Sequence, residues 1–197
     1  MKSLGYNNLT KVLHLLVVLL MIVQLTLAMN MEPPQPGEVR EAWQLMFYSG
    51  HRFIGLGILF LIVVHLLHTL RDAGDESAWH VLFPWLRDSG RRQLLKELKM
   101  VPSWLKHGPP RQDVGIALPG AIHGAGLLLL LLMGLTGACI FFGMAADGKV
   151  SANIDAIMDF HGDILATLLW AFLVGHAGMA FWHEWLGHGA KSRIFFF

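Results

Sequence analysis

The sequence is poor in cysteine and in charge. It holds one cysteine, Cys139, among 197 residues, so no intrachain disulfide can form. No Cys-x-x-Cys-His run occurs, which excludes a covalently attached c-type haem. Charged residues make up 15% of the chain, against roughly 25% in soluble domains. The formal net charge is +1 and the basic residues are not gathered into a reading surface, so no nucleic-acid partner is indicated. The chain has no nucleotide-binding loop, no Gly-x-Gly-x-x-Gly and no nucleophile constellation.

Apolar residues are abundant instead, at 54%, and they come in blocks. Four blocks are long enough to cross a hydrocarbon layer of about 30 Å, which takes about 20 helical residues. They run over about 11–28, 46–70, 116–144 and 157–185. A barrel would alternate polar and apolar residues over segments of about ten; these runs are continuous. The expected fold is therefore an all-α membrane protein, a four-transmembrane-helix bundle forming a single domain over 1–197. The first block exceeds the usual signal-peptide core of about 7–15 residues, so it is read as a retained span.

Twelve of the 15 basic residues fall on one side of this arrangement. They are Lys2, Lys11, Arg71, Arg87, Arg91, Arg92, Lys96, Lys99, Lys106, Arg111, Lys191 and Arg193. Arg40, Arg52 and Lys149 fall on the other. The positive-inside rule then places the N- and C-termini and the loop of about 72–114 in the cytoplasm. In that loop, Leu94, Leu95, Leu98 and Trp104 recur near helical spacing among lysines and arginines. That pattern suits either an amphipathic helix on the membrane surface or a solvated charged helix.

Histidine is the unusual count, at 11. A histidine in hydrocarbon is costly unless paired or ligated. Six are ligand candidates in or at the ends of the spans: His14, His51, His65, His123, His161 and His176. His68, His183 and His188 cluster at the cytoplasmic ends of spans two and four, and His80 and His107 are loop residues. His65 follows His51 by 14 residues and His176 follows His161 by 15. Each pair is thus separated by about 21–22 Å along its helix and turned by only about 40° to 60°. Two levels result, His51 with His161 near the outer face, and His14 or His65 with His176 near the inner face. Two bis-histidine levels in one four-helix bundle suit two stacked haems. Glycines flank these histidines, at Gly50, Gly55, Gly57, Gly120, Gly124, Gly126, Gly162, Gly175 and Gly178. As a group they suit the close approach of a flat macrocycle; singly, each suits helix packing. Arg52 suits either a haem propionate or an interfacial anchor.

The runs KVLHLLVVLL, GHRFIGLGILFLIVV and FHGDILATLLWAFLVGHAGMAFWHEWLGH resemble the bacterial cytochrome b561 and nickel–iron hydrogenase b-type cytochrome family. The likeness covers all four spans and weakens in the long loop. It implies two non-covalent b haems, with His51 and His161 as ligands of the outer one and His14 and His176 of the inner one. It makes His65 a propionate or quinone-pocket neighbour and His123 a neighbour of the inner site. The 15-residue spacing from His161 to His176 is one residue longer than some members use, a difference that a local helix irregularity would absorb.

The function this implies is electron transfer across the bacterial inner membrane, between a periplasmic redox partner or catalytic subunit and the quinone pool. An alternative within the family is a superoxide:quinone oxidoreductase acting alone. The expected partners are membrane lipid, quinone and the redox protein, with a homo-oligomer allowed. The periplasmic partner would dock on the acidic segments Glu32–Gln44 and Asp147–Asp159. The rival from another class is a histidine-based metal-ion transporter, which would need intramembrane carboxylates. Here Asp159, Asp163 and Glu184 stand only toward the ends of a span.

Overall fold

The computed structural model describes residues 8–34, 37–71, 78–110, 117–145 and 148–188. The described residues are overwhelmingly helical and include no strand. Four helices are long and apolar enough to cross a membrane: α1 (Asn8–Asn30), α2 (Ala42–Arg71), α5 (Ala117–Gly143) and the continuous run Ala152–Trp185. That last run comprises α6 (Ala152–Asp159), a π-helical stretch (Phe160–Leu165) and α7 (Ala166–Trp185). The expected spans are therefore all present. Lys2, Arg111, Lys191 and Arg193, which contributed to the expected orientation, lie outside the described residues, as does Asp147.

The chain falls into two compact units. One comprises Leu13–Val64 and Leu129–Trp170. Its core is Leu13, Val17 and Met21 of α1, Ile58 and Ile62 of α2, Leu130 of α5, and Leu165 and Leu169 of the fourth span. In α1, α2 and the fourth span these residues recur every four positions, so one row of side chains meets its neighbours. The opposite faces carry Phe53, Phe60, Phe142 and Leu168, all exposed. Aromatic and aliphatic side chains pointing outward at this density suit lipid rather than water as the surrounding solvent.

The other unit comprises Met1–Val12, His65–Leu128 and Ala171–Phe197. It contains a short α3 (Ala78–Leu82), a 3₁₀ turn (Pro84–Leu86) and α4 (Asp88–His107). α4 stops at Gly108, whose φ of 86° ends the helical path; Pro109 and Pro110 follow. α4 exposes Leu95, Leu98, Met100 and Leu105 but buries Glu97, only 2% exposed. The Glu97 carboxylate accepts the backbone N–H groups of Ala117 at 3.0 Å and Leu118 at 2.7 Å, and also the Gln93 amide. A side chain from α4 thus caps the first turn of α5, where a negative charge also meets the positive end of the helix dipole.

The glycines divide by position. A Cβ on Gly120 would lie 2.1 Å from the Val81 carbonyl oxygen, and one on Gly124 would lie 2.0 Å from that of Leu82. A Cβ on Gly126 would run into the Phe172 ring at 2.1 Å. The glycines around His123 therefore seat the α3 backbone and an aromatic ring, not a macrocycle. Gly57, Gly162, Gly175 and Gly178 have nothing within 4 Å of a would-be Cβ. Gly50 and Gly55 face the Leu27 and Gln24 side chains of α1.

Candidate histidine centre

His51 of α2 and His161 of the π-helical stretch belong to the same unit. Their ring centres are 6.4 Å apart with planes at 88°. An imidazole nitrogen binds a transition metal at about 2 Å and the ring centre lies about 1.1 Å behind it, so two imidazoles sharing one ion have centres about 6.3 Å apart. The planes of such ligands can turn independently about their common axis, so perpendicular rings are compatible with sharing. Both histidines line a cavity of about 280 Å³. Its wall is otherwise mainly apolar, including Met21, Ile58, Leu130, Met133 and Leu169.

Neighbouring spans hold the other side of each ring. The Gln24 Nε2 of α1 lies 3.0 Å from His51 Nδ1 and donates to the His51 backbone carbonyl at 3.0 Å. Thr136 Oγ1 of α5 lies 2.8 Å from His161 Nδ1. Arg52 follows His51 on α2. Its guanidinium is 4.4 Å from the Phe141 ring centre and 5.2 Å from that of Tyr48, and Nη2 donates to the Phe141 carbonyl at 3.1 Å. Its Nε is buried with no partner. A guanidinium whose buried Nε–H is unpaired fits an anionic group such as a carboxylate.

The π-helical stretch surrounds His161. The Ala166 N–H reaches back to the His161 carbonyl, five residues earlier. A π turn takes up one residue more than an α turn. The 15-residue spacing from His161 to His176 therefore turns the helix as about 14 regular residues would, which is how a local irregularity absorbs the extra residue.

In the other unit, His176 of α7 lies against His123 of α5, with ring centres 5.2 Å apart, and Phe172 stacks on His176 at 5.3 Å. At 5.2 Å the His123 and His176 rings are too close to flank one ion in the manner of His51 and His161. His123 Nδ1 donates to the Pro119 carbonyl at 2.7 Å. His65 is next to Thr69 of its own helix, whose hydroxyl lies 3.5 Å from Nδ1 and donates to the His65 carbonyl. His183, buried, and His188 approach at 2.9 Å between Nδ1 atoms. His14 is half-buried on α1, in the unit of His51 and His161. His107 and His80 stay in the loop region, on α4 and α3. Among the described residues no three His, Cys, Asp or Glu side chains converge to hold a metal ion by themselves.

Sequence reasoning missed Gln24, Thr136 and Glu97. The signal for the first two was available: each is a polar residue isolated within an apolar run, where an unpaired polar group is costly.

The family model described as prokaryotic cytochrome b561 matches residues 5–196. No curated protein and no solved structure gives a match to the chain.

Proposed function

The chain belongs to the prokaryotic cytochrome b561 family, as a multi-pass membrane b-type cytochrome of electron transfer, and we propose that it carries electrons between a periplasmic redox partner and the quinone pool through two haems. The observation that carries this reading is the 6.4 Å separation of the His51 and His161 rings beside an apolar cavity. His51 and His161 hold the outer haem, and the free N–H of Arg52 pairs with a propionate. His14 and His176 hold the inner haem, as the family resemblance implies. When bound, haem supplies a one-electron iron couple whose potential the axial ligands and burial set.

The chain's own residues do the rest. The mainly apolar wall around His51 and His161 limits solvent access and so reduces the solvent rearrangement that accompanies each electron. The spacing of His51 to His65 and of His161 to His176 along their helices supports two levels about 21 Å apart. On the cytoplasmic side His65, His68 and His123 line the quinone site and hand protons to it, since quinone reduction takes up protons with electrons. The periplasmic partner docks on Glu32–Gln44 and Asp147–Asp159, whose acidic residues attract a basic surface. The whole acts as one domain of the inner membrane, with α4 laid on the cytoplasmic membrane surface through Leu95, Leu98, Met100 and Leu105.

Visible spectra of the detergent-solubilised protein, oxidised and dithionite-reduced, test the reading with haem counted per chain. Two low-spin b haems per chain, both reduced on addition of a quinol, are expected. Protein made with ample haem supply that binds none would overturn it.

A further inference from the structure

Thr136 sits in the C-terminal third of α5, a span to which the proposed ligand scheme gives no ligand. Its hydroxyl oxygen has three close neighbours: the Leu132 carbonyl at 2.9 Å, the Met133 carbonyl at 3.0 Å and His161 Nδ1 at 2.8 Å. A hydroxyl has one hydrogen to give and two lone pairs to receive. Carbonyl oxygens only accept. If the hydroxyl gave its hydrogen to Nδ1, two carbonyl oxygens would face it at hydrogen-bond distance with no hydrogen between. The favourable arrangement gives the hydrogen to the carbonyls of the preceding turn, as threonine in membrane helices commonly does. The hydroxyl must then accept from Nδ1–H.

That assignment fixes the tautomer. The proton of neutral His161 is on Nδ1, and Nε2 carries the lone pair. Gln24 does not fix His51 in this way: its Nε2 donates to the His51 carbonyl and toward Nδ1 can only donate, so an Nδ1–H form of His51 leaves it the carbonyl alone. The residue next to Thr136 supports the seat: a Cβ on Gly137 would lie 3.3 Å from His161 Cε1, so the ring rests against α5.

We infer that Thr136 is the positioning residue of the outer haem centre, holding His161 as the Nδ1–H tautomer and so presenting Nε2 to iron. This inference rests on the reading of His161 as a haem ligand. A hydrogen bond accepted from the far nitrogen pushes electron density toward the metal-binding one and raises ligand basicity. A more basic ligand favours oxidised iron, so Thr136 lowers the potential of the outer haem. Donation to the carbonyls makes the hydroxyl a better acceptor in turn.

The test is a potentiometric titration of the haem-loaded protein, followed by visible absorbance, on Thr136→Val, Thr136→Ser and His161→Ala. The titration wave missing in His161→Ala identifies the outer haem. Thr136→Val keeps the shape and removes the acceptor. A tenfold loss of preference for oxidised iron, the low end for outer-shell partners, raises that wave by about 59 mV. Thr136→Ser keeps the hydroxyl and must titrate as wild type. Loss of the outer haem in valine with retention in serine supports the inference equally. If valine protein is not recovered, Thr136→Ala carries the same comparison. A valine or alanine wave at the wild-type position, or a serine wave displaced as far as valine's, overturns the role of Thr136. A His161→Ala protein with every wave intact overturns the parent reading instead, and the two failures are thereby distinct.

Discussion

Deleting one residue from the π-helical stretch should leave the haem complement intact, while deleting one from the regular helix beyond it should not. Gly162 lies in that stretch, in open space, and Leu168 lies in α7 with its side chain 52% exposed. Neither deletion removes a packed core side chain. Without Gly162, the five-residue reach from Ala166 to the His161 carbonyl becomes the four-residue reach of an α turn, and His161 keeps its face. Without Leu168, the part of the helix bearing His161 turns by about 100° and shifts by about 1.5 Å relative to the part bearing His176. An imidazole about 5–6 Å from the helix axis then moves by about 8 Å. A metal–nitrogen bond of about 2 Å cannot follow such a displacement. The assay is haem per chain in purified protein, from the reduced pyridine complex. The Gly162 deletion should match wild type and the Leu168 deletion should lose one haem. Equal loss in both, or a wild-type count in the Leu168 deletion, would refute the idea that the π turn only absorbs an extra residue.

Gly124→Ala should destabilise the protein by about 1–3 kcal/mol or more, seen as a lower thermal midpoint in detergent, because the new Cβ meets the Leu82 carbonyl at 2.0 Å. Gly178→Ala, which meets nothing within 4 Å, should be neutral or stabilising by about 0.5–1 kcal/mol in the same assay. Glu97→Ala should cost about 2–4 kcal/mol, since it frees two N–H groups of α5 that a buried carboxylate now accepts, and Glu97→Gln should recover part of that. Arg52→Gln should lower the potential of the outer haem by roughly 40 mV, the equivalent of about 1 kcal/mol, because a nearby positive charge favours reduced iron. His14→Ala and His176→Ala should each remove the inner haem while His65→Ala retains it, as haem counting would register.

The four spans were legible because continuous apolar runs of that length admit one structural solution in a bilayer. The pairing of His51 with His161 was legible too, from their matched positions in two helices running the same way. The spacing between His161 and His176 was visible as a departure from the resembling family, but the π-helical turn at Phe160–Leu165 that absorbs it was not placed by the sequence. Other features depend on neighbours that no local pattern names. Thr136 meets His161 across 25 residues of sequence, and Gln24 meets His51 across 27. The glycines around His123 look alike whether they face a macrocycle or a backbone. What faces Gly120 and Gly124 is α3, a helix of five residues, too short to announce itself by periodicity. Glu97 reads as one more charge on a solvated helix, yet its partners are N–H groups 20 and 21 residues away.

The most direct test of the central claim is haem content and low-spin iron resonance in wild type, His51→Ala and His161→Ala. The account predicts that each substitution removes the same single haem and the same low-spin signal, leaving the other haem in place. Retention of the full wild-type complement in either variant, with its low-spin signals unchanged, would contradict it.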